Sequence, residues 1–173
     1  MAAAVEAREK IQTQNRDEDR GGEHITLIFA LGGEDYGLHV NFVKEIVRLP
    51  PFITRVPNAP SSVRGVINLR GSIVPVFDMR QKMEVAENDL TDKARIVVLS
   101  WNEILFGILV DAVKEVSTIY DGQVEPTPQL NASIERKYLL GVAKRDDGRL
   151  IVLLDIPALF GIDDIIDEKS AVN

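Results

Sequence analysis

No cysteine occurs in the 173 residues of this chain, and histidine occurs only at His24 and His39. Thiol chemistry is thereby excluded: no disulfide, no thiolate metal site and no cysteine nucleophile, a composition that fits a reducing cytoplasm. Aromatic residues are scarce at 6%, and no basic cluster interleaves with them. With 27 acids against 20 bases and a net charge of −7, binding to a phosphate backbone has little electrostatic support. Long apolar runs are missing too. The longest nearly unbroken one, Ile104 to Val110, is far too short to cross a bilayer, and the N-terminus lacks the apolar core of a secretory signal. The expectation is a soluble, unexported, cytoplasmic protein that does not bind nucleic acid.

The usual signatures of catalysis are equally thin. No serine lies in a nucleophile-elbow context that His24 or His39 could complete. Gly32-Gly33 lacks the lysine and helix of a phosphate loop, and Asp146-Asp147 and Asp163-Asp164 lack the alternate-position oxygens of a calcium loop. Asp78 and Asp155 hold equivalent places in two related segments and could suggest a carboxylate dyad. Capping is the simpler reading, because Gln81 follows Asp78 at capping-box spacing and Ile156-Pro157 follows Asp155. No enzyme, cofactor or metal site is expected.

What is present is a core-forming chain, 45% hydrophobic, long enough for one medium domain or two small subdomains. Residues 1–22 are highly charged and read as a disordered tail; an acidic end starts at residue 163. From Ile25 onward, short β-branched and aliphatic runs alternate with turn signals at Gly32-Gly33, Gly71-Ser72, Trp101-Asn102 and Asp147-Gly148. The stretch from Tyr36 to Ile46 recurs from Phe106 to Val116 at a constant offset of 70, and Gly65-Val66 with Ile73 to Asp78 is echoed by Gly141-Val142 with Leu150 to Asp155. Two related β units that pack together, with a groove between them, follow from such a repeat.

Within each copy the segment after the repeated strand reads as helical: Asn41 or Asp111 suits an N-cap, Val43, Ile46 and Val47 share one helical face, and Pro50-Pro51 stops the first helix. Pro75 sits inside an otherwise good strand, which places that strand at an edge or gives it a bulge. The hairpin Gly65 to Asp78 carries the sharpest functional signal. Alternation of Val63, Ile67 and Leu69 with Arg64, Asn68 and Arg70 turns Arg70 outward beside Asn68 at a glycine turn. A planar cation on a tight turn suits recognition of a partner better than catalysis. In the second copy Lys144, Arg145, Asp146 and Asp147 stand in place of that tip, so the two copies differ where function would act.

These blocks, Tyr36-Gly37-Leu38, Val43 to Ile46, Gly65 to Gly71, Ile73 to Asp78 and Gly107 to Asp111, resemble the CheW family of chemotaxis coupling proteins over about residues 24–162. The resemblance implies a mainly β fold of two packed five-stranded SH3-like β-barrel subdomains with short helices, filling a domain of residues 23–162 between tails 1–22 and 163–173. The barrels need not be sequential halves. It further implies a non-enzymatic adaptor, recruited to receptor arrays, that joins methyl-accepting chemotaxis receptors to the regulatory domain of the histidine kinase CheA without a cofactor. Carried onto this sequence, the receptor-facing residues are Val43, Gly65, Asn68 and Arg70 with Val113 and Val116 opposite, and the kinase-facing residues are Val40 and Glu45. A stand-alone SH3-like module or a detached kinase regulatory domain is the alternative.

Overall fold

The structure, a computed structural model, describes residues 21–83, 85, 89–126 and 138–160; the two expected tails lie outside it apart from Gly21 and Gly22. The described residues form eleven strands: β1 (Glu23–Leu31), β2 (Glu34–His39), β3 (Val43–Arg48), β4 (Val63–Leu69), β5 (Ser72–Asp78), β6 (Arg95–Trp101), β7 (Ile104–Val110), β8 (Ala112–Tyr120), β9 (Val124–Glu125), β10 (Leu139–Lys144) and β11 (Leu150–Leu154). Two one-turn helices, α1 (Met79–Lys82) and α2 (Ile156–Leu159), and two 3-10 turns, Val40–Phe42 and Asp121–Gln123, complete them.

One sheet runs β8-β1-β2-β11-β10-β9 and the other β3-β6-β7-β5-β4. The two orders are the same order. In each, a hairpin (β1-β2 or β6-β7) is flanked by a crossover strand (β8 or β3, respectively) and joined in parallel to a second hairpin. The two-residue β9 has as its counterpart a single antiparallel bridge from Thr54 to Val66. These sheets are the two SH3-like units that the family resemblance implies, one with six strands where five were expected because the short β9 completes it. The repeat also explains why they are not sequential halves: after β2 the chain passes through the turn Val40–Phe42 into the sheet of β6 and β7, and after β7 it passes at Asp111 into the sheet of β1 and β2.

Apolar strands buried on both faces sort their side chains by period two. Along β6, Val97 and Leu99 enter a core shared by both sheets, whereas Ile96 and Val98 enter the core of their own sheet. Along β1, Leu27 and Phe29 join the shared core and Ile28 the other sheet's own core. Each unit therefore has a small interior, and the larger core lies between them, where Phe77, Phe106 and Phe160 meet edge-on or tilted with ring centroids 4.8–6.0 Å apart.

Three expectations need correction. The segments after Asn41 and Asp111 are strands, not helices. Both carry a β-bulge, since Val43 pairs with Leu99 but Glu45 with Val98, and Val113 with Phe29 but Glu115 with Ile28. A bulge moves later side chains to the opposite face, so Val43 packs on the shared core and Val47 on the sheet's own core, while Ile46 is exposed. The helix-like triad is thus two inward residues on different faces and one outward. Asp111 instead accepts a hydrogen bond from Gly32 N in the β1-β2 turn, and His39, not Asn41, caps the 3-10 turn.

The third correction concerns Pro75. Its strand β5 lies inside the sheet between β7 and β4, and the bulge is in the partner β4, between Val63 and Gly65. Proline is tolerated because Val66, opposite it, directs its own N–H and C=O to Thr54, and because pairing with β7 begins only at Val76.

Candidate functional site

The corner where the β4-β5 turn meets the edge strand β3 gathers most of the sequence-predicted residues of the first copy. Arg70 and Gly71 form the two-residue turn, with φ of +50° and +88°. Positive φ at both central positions matches the twist of a tight hairpin; glycine takes it freely, but an arginine there carries backbone strain. Asn68 holds the turn, its Oδ1 accepting from Gly71 N at 2.9 Å. From this fixed base Arg70 reaches Glu45 on β3, its Nη2 donating to Oε2. The side chain of Arg70 stays 75% exposed while that of Glu45 is 27% exposed, so the pair offers its cation to solvent.

The second unit repeats this arrangement. Arg145 Nη1 donates to Glu115 Oε1, and Glu115 stands 70 residues after Glu45. Sequence reading takes the second tip as diverged; the structure restores the pairing and inverts its exposure, with Arg145 at 22% and Glu115 at 43%. The signal available in the sequence is the repeat of Lys44-Glu45 as Lys114-Glu115, with an arginine near the end of the following hairpin strand.

The remaining site residues fall in different settings. Val43 and Val113 are equivalent, half-buried and packed on the shared core; Val116 on β8 is 56% exposed. Val40 is half-buried in the capped 3-10 turn. Gly65 is buried at the β4 bulge with φ of +150°, and a Cβ added there would lie 2.3 Å from the Thr54 carbonyl oxygen. Gly141 repeats it at +155°, 2.6 Å from Glu125 O. Gly65 thus meets a backbone demand of both units whatever else it touches.

Beside the corner, a groove of about 380 Å³ runs between the end of β3 and β4, with Arg48, Asn68 and Phe52 on its walls. Phe52 is 86% exposed, an apolar contact residue that the sequence reading passed over within the Pro50-Pro51 break. Its signal is an aromatic residue outside any periodic strand.

Asp78 and Asp155 are helix caps. Asp78 Oδ1 accepts from Arg80 N at 3.0 Å and Asp155 Oδ1 from Ala158 N at 3.2 Å. Both oxygens of the buried Asp78 are also engaged by the Arg80 guanidinium, at 3.2 and 3.1 Å. Among the described residues no three His, Asp or Glu side chains are grouped to hold a metal, and no helix is long and apolar enough to cross a membrane.

Two SH3-like units on one core, with an exposed cation fixed at a turn beside an open groove, define a double-unit β protein. Comparison with known proteins agrees. The description "CheW-like domain" matches residues 26–163. Chemotaxis protein CheW of Thermotoga maritima is 38% identical over 147 residues, 84% of this chain and 89% of that protein, and that of Klebsiella aerogenes is 34% identical over 139 residues, 80% and 82%. The crystal structure of the scaffolding protein TtCheW from Thermoanaerobacter tengcongensis is similar with a TM-score of 0.73 at 31% identity, covering 83% of this chain and 96% of that one. The chain belongs to the CheW family of chemotaxis scaffold proteins.

Proposed function

We propose that this protein is a non-enzymatic, cytoplasmic adaptor that joins the tip of methyl-accepting chemotaxis receptors to the regulatory domain of the histidine kinase CheA, at receptor arrays and without a cofactor. The observation that carries this reading is the contact between Arg70 and Glu45. Arg70 belongs to the receptor-facing set with Val43, Gly65, Asn68, Val113 and Val116; Glu45 belongs with Val40 to the kinase-facing set. One ion pair joins the two sets.

An exposed ion pair is worth about 0.2–1 kcal/mol, so exchanging Glu45 for an acceptor on a receptor helix costs Arg70 little. Arg70 then fixes the register of a helical hairpin whose apolar stripe contacts Val43, Val113 and Val116. Release of Glu45 changes the charge offered to the kinase from the adjacent strand. Receptor state reaches the kinase face through that exchange.

Isothermal titration of the full chain with the regulatory domain of a CheA kinase from the same organism tests the reading. Saturable binding near a one-to-one ratio supports it. No heat and no sedimentation shift, with a folded sample and each kinase of that organism tried, would overturn it.

A further inference from the structure

The two units repeat the same pairing, and one place in it is filled differently. In the unit of β6 and β7 the cross-strand pair Ile96 and Leu109 is fully buried and belongs to that unit's own core. Seventy residues earlier, the corresponding pair on β1 and β2 is Thr26 and His39. A hydroxyl and an imidazole stand where the sister unit has two branched aliphatic side chains.

The parallel ladder differs at the same place. β5 stays paired with β7 through Asp78 and Leu109, whereas the β11 ladder with β2 ends at Leu153 and Gly37. Where β2 and β11 separate there is a pocket of about 250 Å³, with Leu38, Val124, Leu140, Leu153 and Leu154 among its walls. Leu140, the extra residue of the β10 bulge, is 58% exposed; Arg64 holds the equivalent bulge position in the sister unit and approaches Asp78 at 3.7 Å.

The polar groups of the pocket define what it can accept. Asp121 spends Oδ2 on Gly22 N, at 2.8 Å, and Oδ1 on His24 Nε2. Thr26 donates its hydroxyl to His24 O at 3.0 Å. His39 Nδ1 accepts from Asn41 N at 3.2 Å, so the proton of the neutral ring sits on Nε2. That N–H meets no acceptor among the described residues. A cation would have to share the Asp121 carboxylate with Gly22 and His24 and could not accept from His39 Nε2, and an anion would lie beside the Asp121 charge.

We propose that this pocket binds a small neutral aliphatic carbonyl compound, whose hydrocarbon part takes the space of the missing Ile–Leu pair and whose carbonyl oxygen accepts from His39 Nε2. The site is independent of the adaptor reading. Because His39 also caps the turn that carries Val40, the Asn41 amide reports occupancy.

The test is an NMR titration of the full chain, labelled at amides and methyl groups, with 2-octanone, octanoate and octylammonium. The ketone is expected to give saturable shifts at the methyl groups of Leu140, Leu153 and Leu154 and at the Asn41 amide. The two charged analogues bind at least about ten-fold more weakly, because octanoate would lie beside the Asp121 carboxylate and octylammonium, a donor only, leaves His39 Nε2–H without an acceptor. The double substitution Thr26→Ile with His39→Leu installs the pair that the sister unit carries, and is expected to keep the fold and abolish the methyl shifts. Should that variant not fold, Leu140→Trp at the exposed wall closes the same space. Absence of saturable shifts with the ketone, equal binding of octanoate or octylammonium, or shifts that persist in the filled variant would each overturn the proposal.

Discussion

Arg70 pairs with Glu45 across the β4-β5 turn and β3, as Arg145 pairs with Glu115 across the β10-β11 hairpin and β8. The two contacts occupy equivalent places but present opposite charges: the first exposes its arginine and the second its glutamate. A cation held on a strained two-residue turn is the better anchor for polar groups of a partner helix, because little motion is lost when it binds.

Arg70→Ala is therefore expected to weaken binding to a receptor-tip fragment by about 2 kcal/mol or more, as for a central anchor. Affinity for the kinase regulatory domain should change only within the about 0.2–1 kcal/mol that an exposed pair is worth, since Glu45 keeps its position on β3 and loses only its partner charge. Arg145→Ala should affect receptor binding much less. Titration calorimetry with both partners checks this. Equal loss at both partners in Arg70→Ala would mean that the turn had unfolded, which a chemical-denaturation curve on the same variant would reveal.

Gly65 and Gly71 lie on one hairpin, yet their substitution should differ sharply. At Gly71 an added Cβ meets nothing within 4 Å and only the φ of +88° opposes it, so Gly71→Ala should cost about 1 kcal/mol. At Gly65 the Cβ would sit 2.3 Å from Thr54 O, and the backbone must move. Gly65→Ala should cost several kcal/mol, on the order of the large mutational losses, and should break the Thr54–Val66 bridge. Urea unfolding of both variants measures the difference.

The strands, turns and repeat were legible in the sequence because they depend on local signals: period-two burial, glycines in tight turns and a constant offset of 70 between copies. The crossover strands were not, because a bulge at Lys44 and Lys114 erases the alternation that marks a strand. The caps at Asp78 and Asp155 were legible from the residues that follow them. The Arg70–Glu45 contact was not, since it joins residues 25 apart in sequence and depends on β6, β7 and β5 lying between β3 and β4 in the sheet. Nor does any local pattern mark the pocket beside His39, which appears only when the two units are compared pair by pair.

The two caps should also separate by energy. Asp78 is 1% exposed and holds the Arg80 guanidinium, itself buried. Asp78→Ala withdraws both carboxylate oxygens from that guanidinium together with the cap, and should destabilise by about 3 kcal/mol, the low end for a disrupted buried pair. Asp155→Ala loses only a cap, about 1 kcal/mol. Thermal and urea unfolding check both. A carboxylate dyad predicts instead that Asp78→Asn removes a turnover without loss of stability.

Acid should loosen the start of β1. Hydrogen bonds from His24 and from the backbone N–H of Gly22 hold the Asp121 carboxyl below its ordinary value of 3.8. A depressed folded-state value means that the stabilising contribution is complete above the unfolded value and is lost as the pH falls through the folded one. Near neutral pH the contact between Gly22 and Asp121 should be intact, and below 3.8 it should be released as the carboxylate takes up a proton. The Gly22 amide shift, followed by NMR during acid titration, should move with a midpoint below 3.8. Asp121→Asn should remove that titration while leaving the strand pairing of β1 with β8 in place. A midpoint at or above the ordinary value would show that neither hydrogen bond favours the charged carboxylate in solution.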